Sequence, residues 1–441
     1  MTTNTNLIRQ RRFLPLFVTQ LLGAFNDNLY KNAMLLFVVY SIYNSEAKEG
    51  LFSAIASGLF ILPFFLLSAL AGQLADSRDK ARLIRIIKTC EVGIMLVGGA
   101  GLLLAWRHIA AETLAIPLML AALLAMGVHS SFFGPIKYAI LPQHLYPDEV
   151  LAGTGLVEAG TYLAILAGTI LAAVIPVQWA ALAVVITALI GLVSAQSVPA
   201  APPMMAAQPI DWNIVRSSIL LVRMTMRHSR VILAICAISV FWAVGAVLFI
   251  QFTPLAKNVL GGNKGVVSLF LVMFSIGVAI GSASINHLLG GKVSARYAPL
   301  SVMVMAGFIV AFDLICRQWP VRGREHLVDV WTFVHLPLAV PLLGSLFGIA
   351  VAGGMFVVPL YAFLTTIVEK SETSRTIAAN NIVNSGAMVI GSVIAVSLSA
   401  LGVAIVHQLL LGAAMCTISA FLAWLLYRAE QAHVGQIEHT F

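Results

Sequence analysis

Five polar residues, Asn26, Asp27, Asn28, Lys31 and Asn32, fall within one long apolar run, Phe13–Tyr43. The flanks of that run, "FLPLFVTQL" and "MLLFVVYSIY", suit hydrocarbon. A carboxylate and an ammonium at i, i+4 share a helical face and can pair. Gly23, one turn before Asp27, leaves room beside them. Two readings follow: an ion bridge that fixes helix packing, or a face that lines a central cavity and binds a charged group or a coupling ion. Five polar residues exceed what one packing bridge needs. Further ionisable groups stand in apolar runs at Glu91, Lys137 and Glu158. Burying such a group is costly unless it is paired, so each marks a site by default. Glu91 follows Lys88 by three residues and is expected to pair with it. In "FFGPIKYAILPQHL", Lys137 and Tyr138 can hold a phosphate or place a snorkelling lysine at the interface. The same stretch is expected to break its helix at Pro135 and again at Pro142. Asn380, Asn381 and Asn384 form a second polar face late in the chain.

The elements that carry these residues are set by composition. The chain has 441 residues, 60% hydrophobic and 10% charged, with a mean hydropathy of +0.96. Soluble domains carry roughly a quarter charged residues, so this is a polytopic membrane protein. Twelve apolar runs reach spanning length: 13–43, 51–75, 86–105, 114–138, 150–175, 180–195, 231–255, 266–289, 298–316, 333–363, 376–401 and 404–427. They are too long and continuous for barrel strands. With the N-terminus in the cytoplasm, 18 Lys and Arg fall on the cytoplasmic side and 7 outside, Lys31 being within a span. The positive-inside rule places both termini in the cytoplasm. The net charge of +8 is therefore an orientation signal, and nucleic acid is not expected as a partner. Cys90, Cys236, Cys316 and Cys416 form no C-x-x-C pair, which argues against a disulfide framework or a metal site. The first apolar run continues to full length without a cleavage site, as an uncleaved span.

Between the sixth and seventh spans, "SVPAAPPMMAAQP" reads as a linker. Asp211 can then cap a short amphipathic helix on the cytoplasmic leaflet, with Arg216, Arg223, Arg227 and Arg230 on one face. The reading is a six-helix bundle over 1–195, a cytoplasmic linker with this helix over 196–230, and a second bundle over 231–441. Three internal echoes support it. "DEVLAGTGLVEAG" answers "SRTIAANNIVNSG", setting Glu158 opposite Asn384. "GQLADSRDKAR" answers "NHLLGGKVSAR", and "PIKYAIL" answers "PLYAFL". The offsets are similar and the span positions correspond. The expected fold is all-α, resembling the major facilitator layout of two six-helix halves in parallel repeat, with Glu158 and Asn384 facing the interface between halves.

The loop "GQLADSRDKAR" also resembles that superfamily's signature between spans two and three. Gly72 would permit close helix approach. Asp76 with Arg78, Lys80 and Arg82 would form a cytoplasmic gate of charges. Asp79 stands where the signature usually has glycine. Together with "GAFNDNLYKNA", "FFGPIKYAILPQHL", "LAGTGLVEAGTYLAILAG" and "GGMFVVPLYAFL", the loop is similar to the lysophospholipid transporter (LplT-like) family, and to the membrane portion of transporter–acyltransferase fusion proteins. The resemblance runs over essentially the whole chain. It implies movement of lysophospholipids to the cytoplasmic leaflet of the bacterial inner membrane, with no cofactor. A coupling ion would be sodium or a proton, a separate acyltransferase is an expected partner, and the expected state is a monomer. It places Asp27 with its neighbours, Lys137 and Glu158 on the family's polar positions. One departure stands in the seventh span, where some members carry an arginine and this chain has Phe249, with Gln251 nearby. "HLYPDE" sets Glu149 where an acyltransferase would need aspartate after His144, so an enzyme is not expected. Two other readings stay open: a transporter of another solute, such as a siderophore, drug or metabolite, and a non-transporting membrane receptor or scaffold.

Overall fold

The computed structural model describes residues 7–42, 46–204, 210–319, 327–401 and 403–438. Part of the Pro-rich linker and the loop arginines Arg322 and Arg324 lie outside them. Among the described residues the long helices are α1 (Leu14–Phe37), α2 (Glu46–Ser77), α3 (Lys80–Trp106), α4 (Ile116–Ala139), α5 (Val150–Val174), α6 (Val177–Gln196), α7 (Ile214–Thr225), α8 (Ser229–Pro254), α9 (Lys264–Leu289), α10 (Ala298–Arg317), α11 (Ala339–Thr366), α12 (Thr373–Ala400) and α13 (Ile405–Glu438). Among the described residues, eleven helical stretches are long and apolar enough to cross a membrane. They fall on α2–α6 and α8–α13. Helix α1 has 24 residues, enough for a span, but its polar run lowers its hydropathy.

The chain divides into two compact units. Unit 1 is Met1–Thr225 with Val368–Ile382, and unit 2 is Met226–Ile367 with Val383–Phe441. In unit 1, α1 packs along α5 and α6, α2 along α4, and α3 along α4 and α6. In unit 2, α8 packs along α13, α9 along α11, and α10 along α11 and α13. Shifted by one repeat, α2–α4 matches α9–α11, α3–α4 matches α10–α11, and α3–α6 matches α10–α13. The internal repeat read from short sequence echoes is thus a repeat of packing.

In lipid, helices gain little from hiding apolar surface, so close backbone approach and interhelical hydrogen bonds hold them together. Gly168 of α5 shows this. A Cβ there would stand 2.5 Å from the Phe25 carbonyl oxygen of α1. Tyr30, fully buried, donates to the Met119 carbonyl at 2.8 Å and ties α1 to α4. Unit 2 is fastened by aromatic rings: Phe270 lies 6.2 Å from Phe252, 6.4 Å from Phe312 and 6.0 Å from Phe333. Trp319 stacks on Phe333 at 5.2 Å.

Three local expectations are corrected. Helix α4 does not break at Pro135; it continues to Ala139. Packing against α2 and α3 holds the kink-prone turn, as lipid-embedded helices allow. Pro142 sits in the first turn of the short helix Leu141–His144, where a missing N–H costs nothing. The amphipathic helix is capped by Asn213, whose side chain accepts from the Arg216 amide at 3.0 Å. Asp211 instead grips the Arg216 guanidinium in two bonds of 2.9 Å, and that contact holds its carboxyl below the usual carboxylate range. The chain is extended at His228 before α8, so Arg227 and Arg230 are not on the helix with Arg216 and Arg223. Helix α7 buries Ser217 and Leu221, the latter in a cluster with Ala69, Ala378, Ala379 and Ile382 of unit 1.

Candidate functional site

Successive residues on a helix point about 100° apart, and the polar run of α1 therefore spreads over its neighbours. Asn26 is fully buried and donates to Glu91 Oε1 of α3 at 3.0 Å. Asp27 accepts from the Ser130 hydroxyl of α4 at 2.6 Å. Asn28 bonds back to the Ala24 carbonyl at 2.8 Å. Asn32 donates to Thr169 of α5 at 2.9 Å. The Lys31 ammonium lies 5.5 Å over the ring of Phe60 in α2. The partners outside α1 lie on four different helices. Asp27 and Lys31 do share a face and attract one another. Yet among the described residues no ion pair closes between them, because Ser130 holds the carboxylate. Its other oxygen, Oδ1, is buried and accepts no hydrogen bond.

Glu91 is the hub that sequence reading undervalued. It pairs with Lys88 at 2.5 Å, as the i, i+3 spacing predicts. It also accepts from Asn26 and lies 3.2 Å from His129 Nε2. Lys88, near the cytoplasmic end of its span, is fully buried. Its ammonium would stand 2.9 Å from a Cβ at Gly23, which explains the room that glycine leaves. His129 Nδ1 lies 3.4 Å from the Ser130 hydroxyl. A line of polar contacts thus runs from Lys88 through Glu91, His129 and Ser130 to Asp27. His129 and Ser130 were not identified from sequence. The signal available was a lone histidine beside two serines, "VHSSFF", within an apolar run.

Tyr138 of α4 donates to Glu158 of α5 in a buried hydrogen bond. The Lys137 ammonium lies 4.8 Å over the Tyr138 ring and is attracted by both Glu158 and Asp27. Asp27, Lys31, Lys137, Tyr138 and Glu158 are therefore brought together in unit 1. They offer one incompletely bonded carboxylate and two half-buried ammonium groups.

The second polar set divides. Asn380 is buried and Asn381 reaches toward Gly134 of α4; both belong to unit 1. Asn384 belongs to unit 2, where it accepts from Ser239 at 2.7 Å and donates to Tyr361 at 3.3 Å. Gln251 is buried on Gln408 at 2.5 Å. It lies twelve residues beyond Ser239 on α8, about 18 Å along the axis, so Gln251 and Asn384 do not share a site. Asp313, overlooked in the sequence, is buried and pairs with Arg317 at 2.9 Å.

The gate motif is built differently from expectation. Asp76 accepts from the backbone amides of Ser374 and Arg375, each at 3.2 Å, and lies 3.4 Å from Arg375 Nε. It caps the amino end of α12, whose first amides lack helical acceptors. Gly72, one turn earlier, permits the approach: a Cβ there would lie 2.7 Å from that of Ala378. Of the expected network with Arg78, Lys80 and Arg82, Lys80 is attracted by Asp76 and Asp79. Arg78 and Arg82 are exposed, while Lys80 is buried without a hydrogen-bond partner for its ammonium. Asp79 caps α3, accepting from the Arg82 amide at 2.9 Å. Its φ is −62°, so the turn needs no glycine.

This packing, repeated over two units, has a known counterpart. The family model of the Major Facilitator Superfamily matches residues 16–321. The chain belongs to that superfamily. Among curated relatives, the lysophospholipid transporter LplT of Salmonella typhi is 26% identical over 397 residues, covering 88% of each chain. Among solved structures, the human organic anion transporter MFSD10 (TETRAN) superposes with a TM-score of 0.72 at 13% identity, over 94% of this chain and 99% of that one. A bacterial homologue of the iron transporter ferroportin gives 0.70 at 12% identity, over 96% and 100%. These structures share the fold of this major facilitator transporter.

Proposed function

We propose that this transporter carries lysophospholipids to the cytoplasmic leaflet of a bacterial inner membrane by alternating access. The observation that supports it is the grouping of Asp27 with Lys31 and Lys137 within a bundle of membrane-spanning helices. A zwitterionic headgroup carries a phosphate and an amine. Two ammonium groups suit the phosphate, and the unbonded oxygen of Asp27 suits the amine. The likeness to LplT relatives over most of the chain supports the same substrate class. A single acyl chain makes the lipid easier to extract than two, since each buried methylene adds to retention. Sodium or a proton is the proposed coupling ion, and a separate acyltransferase the proposed consumer of the product.

The test is inward movement of labelled lysophosphatidylethanolamine in proteoliposomes, with and without ion gradients, comparing wild type with Asp27→Asn. Uptake by wild type and its loss in the variant are expected. Equal uptake in both would remove Asp27 from the site; no uptake by wild type would remove the substrate.

A further inference from the structure

Helices α2 and α3 each pack along α4 but scarcely touch one another. The cleft left between them, floored by α4, is a groove of about 410 Å³. Its walls include Leu74 of α2, Ile87 and Cys90 of α3, and Val128 and Phe132 of α4. Apart from the Cys90 thiol and the His129 ring, every lining residue is aliphatic or aromatic. All three helices carry membrane-spanning stretches, so the medium outside the cleft is hydrocarbon rather than water. One end of the α3 wall begins at Leu83. Arg82 precedes it, is exposed, and lies one turn before Ile86 on the same helical face. That end is the one the positive-inside rule sets in the cytoplasmic leaflet, whose anionic lipids attract basic side chains.

We infer that the α2–α3–α4 groove is a binding site for one acyl chain of an anionic diacyl phospholipid of the cytoplasmic leaflet, with its phosphate against Arg82. An apolar slot opening on hydrocarbon is filled by a chain at little desolvation cost, and the arginine fixes which headgroup sits at its mouth. The groove is separate from the Asp27 grouping but touches its supports. The ring of His129 forms part of the floor, and its Nε2 lies 3.2 Å from Glu91 Oε2. An occupied groove therefore buttresses the residue that links Glu91 to Ser130.

The experiment is photo-crosslinking in phosphatidylcholine nanodiscs doped with phosphatidylglycerol carrying a diazirine in one acyl chain, against matched diazirine phosphatidylcholine. Labelled peptides are mapped by mass spectrometry. Groove peptides around Ile87, Cys90 and Val128 are expected to take about fivefold more label from phosphatidylglycerol, the ratio one arginine gives near an anionic surface. Arg82→Gln should erase that preference. Ala125→Phe or Cys90→Phe, which fill the groove, should remove its label. Label at the exposed Leu182 and Ile186 of α6 should persist in both variants and report an intact fold. Groove labelling no greater than that of the α6 face, or unchanged by filling, overturns the site. Displacement by lysophosphatidylethanolamine but not by unlabelled phosphatidylglycerol overturns the assigned occupant.

Discussion

The two repeats build the same contact with different chemistry. In unit 1, Tyr138 of α4 bonds Glu158 of α5. In unit 2, Tyr361 of α11 bonds Asn384 of α12. The tyrosines correspond in the echo "PIKYAIL" and "PLYAFL", and the acid corresponds to the amide in "LVEAG" and "IVNSG". A tyrosine holding a polar side chain of the next span is thus a feature of the repeat. The charge is not. Unit 1 buries or half-buries Asp27, Glu91 and Glu158 among Lys31, Lys88 and Lys137, while unit 2 satisfies Asn384 with neutral groups. Its buried Asp313 pairs with an arginine 39% exposed at a helix end. A duplicated scaffold whose buried charges cluster in one copy supports the proposal of ionic chemistry in that copy. The other copy keeps the packing.

The largest test of that contrast is to break each unit's ion pair. Lys88→Met leaves Glu91 buried without its cation, which costs about 3–5 kcal/mol. Denaturant unfolding in detergent should show a loss of that size, largely recovered in Lys88→Met/Glu91→Leu. Asp313→Asn should cost about 1 kcal/mol or less, since Arg317 keeps access to solvent. Equal losses in the two units would end the distinction.

Next in size is the tyrosine contact. A hydrogen bond to a charged group contributes about 1.5–3 kcal/mol and a neutral one about 0.5–1.5. If the Glu158 carboxylate works in transport, Glu158→Gln should lower lysophospholipid uptake by about tenfold or more. Asn384→Ala should lower it by about threefold. The reverse order, measured at matched protein levels in proteoliposomes, would move the chemistry to unit 2.

The loops after α2 and α9 give a smaller test. Where unit 1 has Asp76 capping α12, unit 2 has Gly290 with φ +58° ending α9. Asp76→Ala should cost about 1 kcal/mol as a lost cap, with Asp76→Asn retaining most of it because the amide oxygen still accepts from backbone. Gly290→Ala should cost about 1–2 kcal/mol through left-handed strain. Unfolding midpoints of the three variants check this.

The smallest effect concerns two surface carboxylates, one per unit. Arg216 depresses Asp211, and hydrogen bonding from Thr332 depresses Asp329. A depressed acid contributes stability above its ordinary value of 3.8, and that contribution is lost as pH falls through the lower folded value. Hydrogen exchange between about pH 5 and 3 should show fraying at the start of α7 and at Val330–Val334. Asp211→Asn should remove the pH dependence from α7 alone.

The sequence by itself determined the membrane class, because spans need only length and apolar composition. It determined the repeat, because short echoes at steady offsets survive in the chain. It marked Asp27, Lys31, Lys137, Tyr138 and Glu158, because polar groups in hydrocarbon are conspicuous. Partners were another matter. Nothing local says that Asp27 turns to Ser130 rather than Lys31, or that Asp76 reaches the start of α12, almost 300 residues away. Lys88 sits two residues inside its span, beside loop cations, and charge alone does not tell a buried lysine from an exposed one. Gln251 and Asn384 both looked available until the length of α8 separated them. Those outcomes depend on which helices lie side by side, on glycines such as Gly72 and Gly168 that let them approach, and on the 100° step that sends successive side chains to different neighbours. Only the tertiary structure decides them, because a buried polar atom takes the partner that packing brings within reach.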